Sequence, residues 1–231
     1  MSHSSEKTDS AHPTQTIQDY LMTMHVLERD YGEIVAARLV EQLGVTPPTV
    51  AMTLKRMERD HWISGKSRQG GIHLTEVGRL AAHSVVRRHM LTEWLLLKIL
   101  KVPFLQIHAE AHHIEHAISD TIEERLMDVL GAPQTCPHGN PLPGFESVTK
   151  GWPALIEFSP GEKIMIRRIH EFAEDNQQLL KFLVECKVMP GSKVTIVEVL
   201  PFNQTLTLSV GGQSVVLGFS AARSLYGEKS K

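Results

Sequence analysis

The stretch HAEAHHIEHAISD, residues 108–120, sets four histidines and two glutamates within nine positions. On a helix turning about 100° per residue, with His108 at zero, His112 falls at about 40°, Glu115 at about 340° and His116 at about 80°. Imidazole nitrogens and carboxylate oxygens suit first-row divalent metal ions. Four such groups therefore share one face, in a sector roughly 100° wide. The opposite stripe, Ile107, Ala111, Ile114 and Ile118, lies at about 240° to 300° and is the face a helix buries. Taken by itself the polar face reads equally as a metal site or as a solvated, hydrogen-bonded surface.

The rest of the chain must position that face. At 231 residues, 42% hydrophobic and 22% charged, it is long enough for two to three small domains. Apolar runs such as residues 94–97 fall far short of a membrane span, and the opening MSHSSEKTDSAHPTQ lacks the apolar core of a signal peptide, so a cytoplasmic protein without a membrane partner is expected. Two cysteines, Cys136 and Cys186, are too few for a disulfide framework and are read as free thiols. A net charge of -2 excludes a global field for nucleic acid, so any such binding needs a local patch.

Residues 1–13 read as a flexible tail. Helical spacing of Ile17, Leu21, Met24 and Leu27 predicts a first helix closed by Gly32. A short helix stopping at Gly44 follows, then a longer one with Thr46 as N-cap and Pro47 at its first position, with Val50, Leu54 and Met57 turned inward. WISGKSRQGGIHL alternates around Gly70-Gly71 as a two-stranded hairpin. Helix-turn-helix plus hairpin makes a winged helix. Three further helices are predicted, at about 76–100, around the histidine face, and at 119–130. Residues 131–160 are rich in proline and glycine and read as a linker or extended segment at a domain boundary. Short strands with turn signals, and one helix at 176–187, then predict a small barrel.

That order resembles the diphtheria-toxin-repressor family of metal-dependent transcriptional repressors, on QDYL at 18–21, PPTVAMTLKRMERD at 47–60, RRHMLTEWLL at 87–96, AEAHHIEHAISD at 109–120, PHGNPLPG at 137–144 and VMPGSKVTIVEV at 188–199. The resemblance implies a mainly α fold with a small β domain: a winged helix-turn-helix DNA-binding domain (14–78), a helical metal-binding and dimerisation domain (79–147), a linker (148–156) and an SH3-like, FeoA-type β-barrel (157–231). It also implies a homodimer that binds double-stranded operator DNA, with no small organic substrate.

Carried over residue by residue, the resemblance implies a regulatory metal site of Asp19, His112, Glu115 and His116, and a companion site of His89, Glu93 and His108. The barrel lends the companion site a ligand, for which Glu174, Asp175 and Gln177 all stand available. A Cys-Pro-His stretch that also ligates the companion metal in one branch is matched by Cys136 and His138. Iron sensors of the family carry methionine where this chain has Asp19 and cysteine where it has His112. A carboxylate in place of a thioether hardens the site, so Mn(II) is expected, with Fe(II) as the alternative. On the DNA side, the resemblance places Thr46, Pro48 and Thr49 at base edges and Lys55, Arg56, Lys66 and Arg68 at phosphates. Residues 46–68 hold five basic side chains against Glu58 and Asp60, a local +3.

The competing class is a metalloenzyme, a hydrolase or non-haem iron protein using His112, Glu115 and His116. A catalytic zinc helix places a glutamate general base directly after its first histidine, whereas His113 stands there. No catalytic residue is therefore assigned.

Overall fold

The computed structural model describes residues 13–65 and 71–230. The chain divides into two compact units, Met1–Val85 and Val86–Lys231.

In the first unit, α1 (Gln15–Tyr31) buries Ile17, Leu21, Met24 and Leu27, the four positions of its apolar stripe. It ends on Gly32 at φ 75°, where the glycine amide donates to Glu28 O. The helix α2 (Ala36–Leu43) stops at Gly44, also left-handed at φ 62°. Glycine pays no Cβ penalty in that conformation, which is why both ends were readable. Thr46 caps α3 (Pro47–Arg59) by accepting from Thr49 N, and Pro47 occupies the first turn, where no amide hydrogen is needed. Val50 and Met57 are buried against the unit's core and Leu54 is half-buried. The hairpin is short: β1 (Ile63–Ser64) pairs antiparallel with β2 (His73–Leu74). Lys66, Arg68 and the hairpin tip at Gly70 lie outside the described residues.

The long helix α4 (Glu76–Trp94) starts in the first unit, where Gly78 presses on the hairpin. A Cβ at Gly78 would stand 1.9 Å from Trp62 O. Thr75 braces the same turn, its hydroxyl donating 2.6 Å to His61 O.

In the second unit the helical run expected to reach residue 100 leaves α geometry after Trp94 and finishes as a π turn, Leu95–Ile99. Lys98 lies over the Trp94 ring at 4.1 Å, and Trp94 Nε1 donates 2.6 Å to Thr135 O. The histidine helix α5 (Phe104–Ile114) buries Ile107 and Ala111 with Leu96. It is shorter than its periodicity predicts, because Glu115–Ala117 tightens into a 3-10 turn before Ser119 caps α6 (Asp120–Val129).

The remainder builds an antiparallel five-stranded sheet from β3 (Lys163–Ile169), β4 (Lys193–Leu200), β5 (Thr205–Val210), β6 (Gln213–Gly218) and β7 (Leu225–Lys229), in the order β6-β5-β4-β3-β7. Strand β7 was not singled out from the sequence: Gly227 at its centre and the charged Glu228 and Lys229 leave too few apolar residues to show an alternation. Between β3 and β4 lie α7 (Glu171–Glu174) and α8 (Gln177–Glu185), and α9 (Phe219–Arg223) precedes β7. Alternate residues Ile164, Ile166, Val194, Ile196, Leu206 and Leu208 form the core with Leu180 and Leu183 of α8.

The proline- and glycine-rich stretch is not a loose connection in its first half. Residues 136–143 are all buried. Ile169 N donates 2.8 Å to His138 O, and a Cβ at Gly139 would meet Arg167 O at 1.9 Å. Prolines and glycines here allow an extended backbone to lie directly against β3.

Candidate metal centre and nucleic-acid face

The second unit gathers the histidines around two carboxylates. Glu93, fully buried on α4, has Oε1 3.3 Å from His89 Nε2, 3.2 Å from His108 Nδ1 and 3.2 Å from His138 Nδ1. His89 and Glu93 sit one turn apart on α4, so helix spacing supplies that pair. Glu174, at the end of α7, brings Oε2 to 2.7 Å from His108 Nδ1 and 3.3 Å from His138 Nδ1. His89 Nε2 and His108 Nδ1 are 3.0 Å apart. Ligand atoms of His89, Glu93, His108 and Glu174 all lie within 4.8 Å of one another, and so do those of Glu93, Cys136 and His138. Glu93 belongs to both groups.

Of the three residues offered for the barrel's ligand, Glu174 turns into the cluster, Asp175 reaches His108 Nε2 at 3.2 Å while two-thirds exposed, and Gln177 opens α8 with its side chain exposed.

A second group sits beside the first. Glu115 is fully buried, with Oε1 3.2 Å from His112 Nδ1 and 3.5 Å from His116 Nε2. The helical wheel put Glu115 on an open polar face. Instead its other oxygen, Oε2, pairs with His89 Nδ1. His89 thus faces Glu115 with one ring nitrogen and the Glu93–His108 pair with the other. Nothing in the sequence marks a contact between positions 26 residues apart on separate helices. Asp19 lies on α1 in the first unit, half-buried.

The electrostatics suit a cation. Burial by itself would lower the His89 imidazole, but hydrogen bonds to Glu115 and Glu93 push it up to about 9. Burial also opposes ionisation of Glu115, yet His112 and His89 hold its carboxyl down to about 2. Glu93 is held well below the usual range, the cost of burial being overcome by His138, His108 and His89. Burial, reinforced by Glu93, Glu174 and Glu171, pushes the Cys136 thiol well up. The Cys136 thiol, beside Glu93 and His138, would be held as thiolate if the group bound a divalent ion. Imidazole and carboxylate donors, converging around the buried Glu93 and Glu174, fit a first-row divalent ion.

In the first unit, Thr46, Pro48, Thr49 and Met52 are exposed at the start of α3, with the Thr46 and Thr49 hydroxyls 2.8 Å apart. Lys55, Arg56 and Arg59 are exposed further along. Asp60 takes a 2.7 Å ion pair from Arg59 and lies 3.7 Å from Arg56.

A winged helix-turn-helix in one unit and helices bearing buried histidine-carboxylate clusters in the other define a metal-responsive DNA-binding protein. Family models agree along the chain: the iron dependent repressor N-terminal DNA binding domain matches residues 12–70, the iron dependent repressor metal binding and dimerisation domain 75–144, and the FeoA domain 154–229. The iron-dependent repressor IdeR of Mycobacterium leprae is 34% identical over 228 residues, covering 93% of this chain and 97% of the relative. The diphtheria toxin repressor of Corynebacterium diphtheriae is 32% identical, covering 87% and 92%. Among solved structures, a manganese-dependent transcriptional repressor in complex with manganese matches with TM-score 0.80 and 26% identity over 93% of this chain and all of that one. The manganese regulator SloR matches with TM-score 0.76 and 26% identity over 93% of this chain and 98% of that one. The chain belongs to the diphtheria-toxin-repressor family of metal-dependent transcriptional repressors. No helix among the described residues is long and apolar enough to cross a membrane.

Proposed function

We propose that this protein is a cytoplasmic, homodimeric repressor activated by Mn(II), with Fe(II) as the alternative ion, and that it is not an enzyme. The convergence of His89, Glu93, His108 and Glu174, with ligand atoms within 4.8 Å of one another, carries the reading. These four, with Cys136 and His138, are the proposed companion site, and Gln177 is the further ligand that the resemblance offers from the barrel. His112, Glu115 and His116 form the regulatory set, which Asp19 completes on the strength of its family register and its hard carboxylate. Relatives are named for both iron and manganese, and the hard carboxylate of Asp19 supports placing manganese first.

Operator DNA is the partner of α3. Thr46, Pro48 and Thr49 take base edges, while Lys55, Arg56, Lys66 and Arg68 take phosphates. Ile122 and Val129, exposed and two turns apart on α6, share one face with which a second copy is expected to pair. Shifting a protein from 1:99 to 99:1 in the competent state requires about 5.5 kcal/mol of differential metal affinity, which two ions per subunit can divide.

The test is an anaerobic DNA-binding assay with each divalent metal, run on the parent, Asp19→Ala and His116→Ala. Mn(II) and Fe(II) are expected to switch on binding in the parent and to fail in both variants. DNA affinity indifferent to either ion overturns the reading, as does metal-loaded protein that turns over model esters or dioxygen yet ignores promoter DNA.

A further inference from the structure

We propose that Asn140 is a positioning residue for the companion cluster: its carboxamide, held the right way round by Arg168, presents Glu174 to the metal through a single oxygen. The proposal rests on the reading that the cluster binds a divalent ion.

Glu174 comes from a helix of only four residues, Glu171–Glu174, which fixes a side chain poorly. Yet it is buried and well placed. Its two oxygens have separate partners: Oε1 accepts from Asn140 Nδ2 at 2.5 Å, while Oε2 faces His108 and His138. Asn140 is itself fully buried in the extended segment and Nδ2 also donates 2.7 Å to Ile169 O. Both hydrogens of the amide nitrogen are therefore used.

A carboxamide could turn over and offer Glu174 its oxygen, which would set two acceptors against each other. Arg168 prevents this. A guanidinium only donates, and Arg168 Nε donates to Asn140 Oδ1, so the NH2 end must point to Glu174. Arg168 is fixed in turn: it is buried, its Nη2 donates 3.0 Å to Glu171 Oε2, and its guanidinium lies 5.0 Å from the Tyr226 ring centroid. With Oε1 engaged, only Oε2 remains for an ion. The imidazoles, Glu93 and the thiol would supply the other ligands. Groups that orient metal ligands in this way typically alter affinity by about 10- to 100-fold.

The experiment measures Mn(II) binding to the full-length protein in a His116→Ala background, which leaves the companion cluster as the site read, with free ion followed by electron paramagnetic resonance. Asn140→Ala is expected to weaken binding about 10- to 100-fold. Asn140→Asp keeps the acceptor for Arg168, loses the donor to Glu174 and is expected to weaken binding likewise, which covers the case of a poorly folded alanine variant. In a Glu174→Ala background, Asn140→Ala should add no further loss, because its effect passes through that carboxylate. Unchanged affinity in both Asn140 variants, or a loss that persists undiminished without Glu174, overturns the proposal. If His108→Ala and Glu174→Ala weaken binding while the Asn140 variants do not, the positioning role alone falls; if His108→Ala changes nothing, the metal reading falls with it.

Discussion

At the scale of single residues, the metal-free cluster is held together by protons, and this makes it sensitive to pH. His89 is raised from 6.5 to about 9 by its carboxylate partners, and Glu115 is lowered from 4.5 to about 2. A raised imidazole contributes stability that is complete below its unfolded value of 6.5 and disappears as pH climbs through 9. A lowered carboxyl contributes stability that is complete above 4.5 and disappears as pH falls through 2. His108 and His138 are shifted in the same sense as His89. In the presence of chelator the protein should therefore melt highest between about pH 4.5 and 6.5, and lose about 3 kcal/mol from the His89 linkage on approaching pH 9. Calorimetry in EDTA across that range checks this, and a melting temperature level from pH 6.5 to 9 contradicts it.

Among the elements, the ends that glycine and threonine specify locally appear where the sequence puts them: Gly32 and Gly44 close α1 and α2, Thr46 opens α3, and Ser119 and Asn176 open α6 and α8. Such signals need no distant partner. Where a distant partner matters, local periodicity misleads. Residues 136–143 carry the composition of a linker and are buried because β3 accepts their backbone. The last turn of the long helix becomes π, and the histidine helix tightens at Glu115 as that side chain turns in to meet His89. Gly78 is a comparable case of close approach, since its missing side chain lets α4 touch the carbonyl of Trp62. Gly78→Ala should cost about 1 to 3 kcal/mol through overpacking, despite raising helix propensity. Urea denaturation measures it, and an alanine variant as stable as the parent would show that the hairpin yields freely.

For the whole molecule, a chain of net charge -2 can meet DNA only through its local basic stretch around α3. Binding must then depend steeply on salt. A dimer making roughly 6 to 10 phosphate contacts should lose about 10³ to 10⁵ in operator affinity between 50 and 200 mM salt. Fluorescence anisotropy with saturating metal reads this directly, and a flat profile would rule out groove binding. Lys55→Ala, which removes one phosphate contact from each subunit of the dimer, should lower the slope by about two without changing base preference.

The sequence by itself determined which chemistry is available and in what order the chain presents it: the winged helix-turn-helix, the His89–Glu93 pair one turn apart, the histidine face, and a following set of short strands. Periodicity, caps and i, i+4 spacing are local properties, readable within about one helical turn of any residue. Tertiary structure alone turned Glu174 into the histidine cluster, turned Glu115 toward His89, and set Asn140 against Glu174 across 34 positions. Those choices depend on which side chains meet in a dry interior, where a buried carboxylate without a partner is too costly to remain so.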